Sequence, residues 1–189
     1  MATEPTVAVS RLAKETGMVS LAYLAAFFAT FEVLMPVQAI FFPEFSGRAS
    51  LLFLPHGVRV LAAWLLGWRS VVAMLPGVFI AFVYVAGWGA FVPSRLTAIA
   101  VAVLVPAACF FVLRLLNRDL SPAEGRSPCW SCIMAIGLVI SVITSLLTNY
   151  ALGATPEAYI AYLIGDFFGL FFLMLILMFL FRGLRHYGI

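Results

Sequence analysis

The stretch EAYIAYLIGDFFGLFFLMLILMFLF, residues 157–181, decides the fold class of this protein. Apart from Glu157 at its start, Asp166 is the only charged side chain in the stretch. A helix needs about 20 mostly apolar residues to cross the ~30 Å hydrocarbon core of a bilayer. The stretch is therefore predicted to be a transmembrane helix that carries one carboxylate inside the membrane.

The rest of the chain has the same apolar character. Of its 189 residues, 65% are hydrophobic and 10% are charged, whereas soluble domains average about 25% charged residues. Composition therefore predicts an all-α, polytopic membrane protein. Because the sequence has no phosphate-loop, kinase or serine-nucleophile motif, we expect no enzyme activity, no catalytic residues and no cofactor. The predicted bundle has about six transmembrane helices, at residues 18–40, 50–67, 70–86, 94–116, 130–152 and 157–181.

Charge predicts how the chain is oriented. It is expected to comprise a cytoplasmic N-terminal segment (1–17), a transmembrane helical domain (18–181) and a cytoplasmic tail (182–189). The loops opposite to the termini hold only Arg48 and Arg95, and Lys and Arg favour cytoplasmic loops. Both termini are thus expected in the cytoplasm, with the helices in a bacterial inner membrane. The net charge of +3 is then explained by basic residues on the cytoplasmic side of the membrane. It predicts the lipid bilayer, not nucleic acid, as a partner.

Three charged side chains lie deep inside the predicted helices, away from their ends: Glu32, Arg59 and Asp166. A charge at the centre of a bilayer costs about 2.5–3.5 kcal/mol even on insertion scales. Each of the three lies eight or nine residues from the predicted outer end of its helix, which corresponds to a depth of ~12–14 Å. Because they are expected at one depth, the sequence predicts that they meet.

Further polar residues are predicted to join this cluster. His56 lies three residues before Arg59 and shares its helix face, and Tyr162 lies one turn before Asp166. Asn149 ends a polar stripe on the fifth predicted helix. The sequence predicts a polar pocket that opens outward and binds a small ligand. The alternative is a structural ion pair between Arg59 and one of the two carboxylates, as in other interhelical polar contacts.

Proline and glycine mark the start of the second predicted helix. In Leu54-Pro55-His56-Gly57, Pro55 removes a backbone donor, which predicts either a broken, re-entrant helix end or a proline in a regular first turn. Both interpretations are compatible with the sequence.

Two short motifs resemble those of a known family. Residues 52–69, with a Pro-x-Gly turn, an apolar helix and a Gly-Arg hairpin, and residues 164–170, with Gly-Asp-x-x-Gly, resemble the membrane-associated sensor domains of the first type. The resemblance implies a bacterial membrane sensor, here stand-alone and shortened, that needs a partner protein for output. The residues that it marks are Pro55, Gly57, Gly67, Gly165, Asp166 and Gly169.

The leading hypothesis is an integral inner-membrane sensory or ligand-binding module without an output domain of its own, acting in signal transduction. The alternatives are a small-molecule transporter, a substrate-binding subunit of an uptake system, or an accessory subunit of a membrane complex. No metal site is expected, because Cys129 and Cys132 lack the further ligands of a closed zinc site and are predicted to be a reduced pair. A signalling or membrane-complex protein and a small ligand are the expected partners.

Overall fold

The computed structural model describes residues 4–41, 50–122, 128–152 and 156–186. Within these ranges the secondary structure is helical and contains no strand, so the all-α prediction is confirmed. The helices are α1 (Glu4–Phe28), α2 (Met35–Phe41), α3 (Leu54–Leu66), α4 (Arg69–Ala86), α5 (Pro93–Leu115), α6 (Trp130–Leu152) and α7 (Pro156–His186).

A π-helical turn, Ala29–Leu34, joins α1 to α2 in one continuous rod. The rod includes most of the polar segment that was predicted to precede the first span, because residues 4–17 continue the helix. Five helical stretches in the described part of the chain are long and apolar enough to cross a membrane, which makes this a multi-pass membrane protein. They are Ala8–Phe41, Arg69–Phe91, Pro93–Leu115, Trp130–Leu152 and Tyr159–Leu180.

The second predicted span is wrong in its length. α3 has 13 residues, or ~20 Å at 1.5 Å per residue, which is too short to cross the hydrocarbon core alone. Residues 50–53 are not helical, because the backbone N–H of Phe53 donates to the carbonyl of Gly165 at 2.8 Å. Pro55 lies in a regular first turn, as the second of the two interpretations predicted.

The rod and α4 pack side by side and run in the same direction. Near the start of α4, Arg69 forms an ion pair with Glu15 at 3.2 Å. Further along, the Ser20 hydroxyl accepts a hydrogen bond from the backbone N–H of Gly77 at 3.1 Å. A Cβ on Gly77 would lie 2.8 Å from the Ser20 carbonyl oxygen, so glycine permits this close contact.

The remaining helices alternate in direction around α3. The turn Gly87–Phe91 joins α4 to α5, and the end of the bundle that holds it is called the upper end below. At the opposite, lower end, the Trp64 ring lies 6.3 Å from that of Trp130. A core cluster of Val60, Leu61, Ile133, Ile136, Ile140 and Leu170 fills the space between α3, α6 and α7 in the lower half.

Candidate functional site

The upper half of the bundle contains a half-open cavity of about 340 Å³. Ligand pockets are typically about 300–1,000 Å³, so this cavity has the size of a site for a small molecule. Four residues predicted from the sequence line it: Arg59, Asn149, Tyr162 and Asp166. The structure therefore brings together, around one space, side chains from α3, α6 and α7.

The cavity has two chemically different walls. Phe27, Phe31 and Phe53 contribute aromatic rings from the rod and from the segment before α3. α6 contributes polar groups, including Ser145 and Thr148, along the stripe predicted from its sequence. The site is thus suited to a molecule with both apolar and polar parts.

Arg59 is held by aromatic groups rather than by a carboxylate. Its Nη2 donates to the Tyr23 hydroxyl at 3.1 Å, and its Cζ lies 5.6 Å from the Tyr23 ring centroid and 5.4 Å from that of Phe53. Cation–π contacts at such distances orient a guanidinium. Its Nε is buried and has no hydrogen-bond partner among the described residues. The alternative of a structural ion pair finds no support there, because no described carboxylate pairs with Arg59.

Asp166, in the lining of the cavity, and His56, behind it, lie where α3, α6 and α7 meet. The Ser141 hydroxyl of α6 donates to Asp166 Oδ2 at 2.7 Å, and Nδ1 of His56 lies 3.3 Å from the same oxygen. On the other side of the imidazole, Nε2 lies 3.2 Å from the Gly137 carbonyl oxygen. All these side chains are buried. His56 thus packs against Asp166 without lining the cavity, and its Nδ1 has no hydrogen-bond partner among the described residues.

The glycines of the two motifs allow the backbone before α3 to pass directly over α7. A Cβ on Gly165 would collide with the Ser50 carbonyl oxygen, and one on Gly169 with the Phe53 carbonyl oxygen. Gly165 and Gly169 therefore serve close packing within the chain, as small-xxx-small patterns do. This crossing fixes the place at which α3 begins and hence the position of Arg59.

Gly57 and Gly67 fill two further roles. A Cβ on Gly57 would lie 3.1 Å from the Leu170 Cα, so Gly57 extends the close contact between α3 and α7. Gly67 follows the last residue of α3 with φ +56°, a conformation that side chains with a Cβ rarely adopt. It allows the sharp turn into α4.

Glu32 is not part of the cluster. Its side chain is exposed and accepts a hydrogen bond from the Tyr84 hydroxyl at 2.9 Å. The depth count assumed a straight α-helix, but Glu32 lies in the π-helical turn, and such a turn changes the face on which side chains lie. The count also placed the start of the second helix at Ser50, whereas α3 begins at Leu54.

Arg95 lines the cavity, although sequence reasoning assigned it only to an outer loop. It lies in the first turn of α5, and a Cβ on Gly89 would collide with its guanidinium. The sequence did offer a signal for Arg95, because basic residues are rare on that side of the membrane. That rarity was used only to predict the topology. Among the described lining residues, two guanidinium groups thus face one carboxylate.

The cysteine pair at the start of α6 differs from the prediction. Cys129 and Cys132 form a disulfide, because the first helical turn brings their Cα atoms to 5.2 Å. Within the ranges that the structure describes, no group of three or more His, Cys, Asp or Glu residues is placed to hold a metal ion.

Fold and cavity together define a multi-pass helical membrane protein with a partly polar cavity in one half of the bundle. Comparisons of the chain with protein-family models, curated proteins and solved structures found no match.

Proposed function

We propose that this protein binds a small ligand in the upper cavity and acts as a sensory membrane module. The observation that carries the proposal is the cavity of about 340 Å³, into which Arg59 and Asp166 bring charged groups. Buried charges in membrane helices commonly mark ligand or ion sites. Arg59 supports this assignment further, because its buried Nε has no partner among the described residues.

Packing below the cavity favours binding over passage. Val60, Ile140 and Leu170 are fully or almost fully buried directly beneath it, so the described structure offers a ligand a pocket rather than a channel. α7 continues from Asp166 to His186 at the lower end. A ligand that contacts Asp166 would therefore act on a helix that extends through the whole bundle.

The orientation in the membrane is part of this proposal. Arg69, Arg114 and Arg118 lie at the lower end, and basic residues favour the cytoplasmic side. We accordingly assign the lower end to the cytoplasm of a bacterial cell and the cavity to the outer side of the inner membrane. The resemblance of residues 52–69 and 164–170 to membrane-associated sensor domains supports a sensory role and a separate partner protein for output.

The proposal is tested by identifying what the cavity holds. Small molecules are extracted from the purified wild-type protein and from a Thr148→Trp variant, in which the indole fills the cavity. A bound ligand should be enriched in the wild-type extract and depleted in that of the variant. Glu32→Gln is the matched control, because Glu32 lies outside the cavity and the variant should retain the ligand. Equal extracts from all three proteins, at equal thermal stability, would contradict the proposal.

Proton-coupled transport is the second candidate, and the His56–Asp166 contact favours it. The Gly137 carbonyl can only accept, so a hydrogen bond to it requires a proton on His56 Nε2. Nδ1 has no hydrogen-bond partner among the described residues and lies 3.3 Å from Asp166 Oδ2, a distance short enough for a proton to pass between the two side chains. Proton uptake by liposomes that contain the protein, abolished in Asp166→Asn, would establish transport, whereas absence of flux would exclude proton-coupled transport.

A further inference from the structure

We infer that the ligand of the cavity is a small organic monoanion: a carboxylate head group attached to an apolar body. This inference rests on the proposed function and deepens it. It starts from the charges that face the cavity. Two guanidinium groups, those of Arg59 and Arg95, line it together with a single carboxylate, that of Asp166. One additional negative charge would balance the charges of these described lining residues.

Asp166 already accepts a hydrogen bond from a residue outside the cavity lining. Ser141 donates to its Oδ2, and Nδ1 of His56 lies 3.3 Å from the same oxygen. Neither of these residues lines the cavity. One oxygen of the carboxylate is therefore engaged within the protein, which makes Asp166 a weaker attractor for a cation than a carboxylate with both oxygens free.

The guanidinium groups are available by comparison. Neither Arg59 nor Arg95 forms an ion pair with a described carboxylate. Arg59 is oriented by the rings of Tyr23 and Phe53, and Nε is its unsatisfied buried donor among the described residues. A guanidinium presents planar, paired donors that match the two oxygens of a carboxylate.

The rest of the cavity selects the body of the ligand. Phe27, Phe31 and Phe82 form an apolar wall, which favours a hydrocarbon or an aromatic ring over a sugar or a peptide. The volume of about 340 Å³ corresponds to roughly eleven water-sized groups at ~30 Å³ each. A medium-chain or arylalkanoic acid can lie within this space, whereas the acyl chains of a complete phospholipid would have to extend beyond it.

Three probes of equal chain length separate head-group charge from apolar contact: octanoate, octan-1-ol and octylammonium. Their binding to the full-length protein in phosphatidylcholine nanodiscs is measured by calorimetry, with empty nanodiscs as the blank for partition into lipid. Octanoate should bind at least about tenfold more tightly than octanol, since hydrogen bonds to charged groups contribute about 1.5–3 kcal/mol. Octylammonium should bind more weakly than either.

Substitutions test whether the two arginines cause the preference for octanoate over octanol. Arg59→Gln and Arg95→Gln should each reduce the octanoate-to-octanol preference to about threefold or less, whereas Arg114→Gln should leave it unchanged. Arg114 is the matched control because it is an exposed arginine at the lower end. If Arg59→Gln fails to fold, Arg95→Gln alone decides, because Arg95 is half-exposed in the first turn of α5.

The outcomes separate this inference from the proposed function. Equal binding of octanoate and octanol, or a preference for octylammonium, overturns the anion assignment and leaves the ligand-binding function standing. Absence of binding by all three probes counts against both.

A second experiment adds phosphatidylglycerol to the nanodiscs. Unchanged octanoate affinity supports a free acid, whereas competitive loss of affinity overturns it in favour of an anionic lipid head group.

Discussion

Nδ1 of His56 lies 3.3 Å from Oδ2 of Asp166, so a residue of α3 is in direct contact with a buried carboxylate of α7. Ser141 of α6 donates to the same oxygen. One carboxylate oxygen in the cavity lining therefore lies where three helices meet. Under the proposed function, this arrangement would link occupancy of the cavity to the packing of the bundle.

Removing this carboxylate should destabilise the protein. Asp166→Ala leaves the buried Ser141 hydroxyl without its acceptor and removes the carboxylate that packs against the His56 ring, and we expect a loss of about 2–4 kcal/mol. Asp166→Asn should cost only about 1 kcal/mol, because the amide oxygen still accepts from Ser141. Unfolding by denaturing detergent in mixed micelles measures both values. Equal stabilities of the two variants would show that Oδ2 does not hold the helices together.

Alanine at Gly169 should be poorly tolerated. The added Cβ would collide with the Phe53 carbonyl oxygen, which belongs to the backbone and cannot rotate away. We expect a loss of about 2–3 kcal/mol. Gly17 is the matched control: it is helical and a Cβ there meets nothing within 4 Å. Gly17→Ala should leave stability unchanged or raise it by up to about 1 kcal/mol. Equal effects at the two positions would argue against the crossing over α7.

One buried hydroxyl bridges α1 and α4. Ser20 Oγ donates to the Ala73 carbonyl at 2.8 Å and accepts from the Gly77 N–H. Ser20→Ala should therefore cost about 1–2 kcal/mol in the same unfolding assay. Thr97→Val is the control, because the exposed Thr97 hydroxyl bonds only within its own helix. It should change stability by less than about 0.5 kcal/mol. A neutral Ser20→Ala would show that the bridge is absent.

The disulfide between Cys129 and Cys132 predicts how many cysteines react with maleimide. The chain has three cysteines, and Cys109 is the free one. Denatured, unreduced protein should therefore take up one maleimide group per chain, on Cys109, and reduced protein three. Mass spectrometry distinguishes these values. Three labels without prior reduction would mean that Cys129 and Cys132 are thiols, as the sequence alone predicted and as a reducing cytoplasm at the lower end would favour.

The sequence was sufficient to predict the helical membrane fold and four of the cavity-lining residues. Long apolar runs identify spanning helices because the bilayer requires such lengths. Helix spacing correctly placed Arg59, Asn149, Tyr162 and Asp166 on faces that meet.

Long-range and local backbone contacts explain what the sequence did not show. The start of α3 is set by the hydrogen bond from Phe53 to Gly165, a contact between residues more than a hundred positions apart. Glu32 faces away because of a π-helical turn that composition does not indicate. Arg95 reaches the cavity through the fold of the Gly87–Phe91 turn. Periodicity along one helix contains none of this information.

Accessibility of the cavity tests the central claim most directly. A single cysteine is placed at Thr148, which lines the cavity, or at Tyr150, which is 87% exposed on the outer surface of α6. The three native cysteines are replaced by serine in both variants. Right-side-out membrane vesicles are then treated with a membrane-impermeant thiol reagent. The account predicts that Thr148→Cys is labelled and is protected when octanoate is present, whereas labelling of Tyr150→Cys is unaffected by octanoate. A Thr148→Cys protein that reacts only in inside-out vesicles, or not at all, would contradict a ligand cavity open to the outer side.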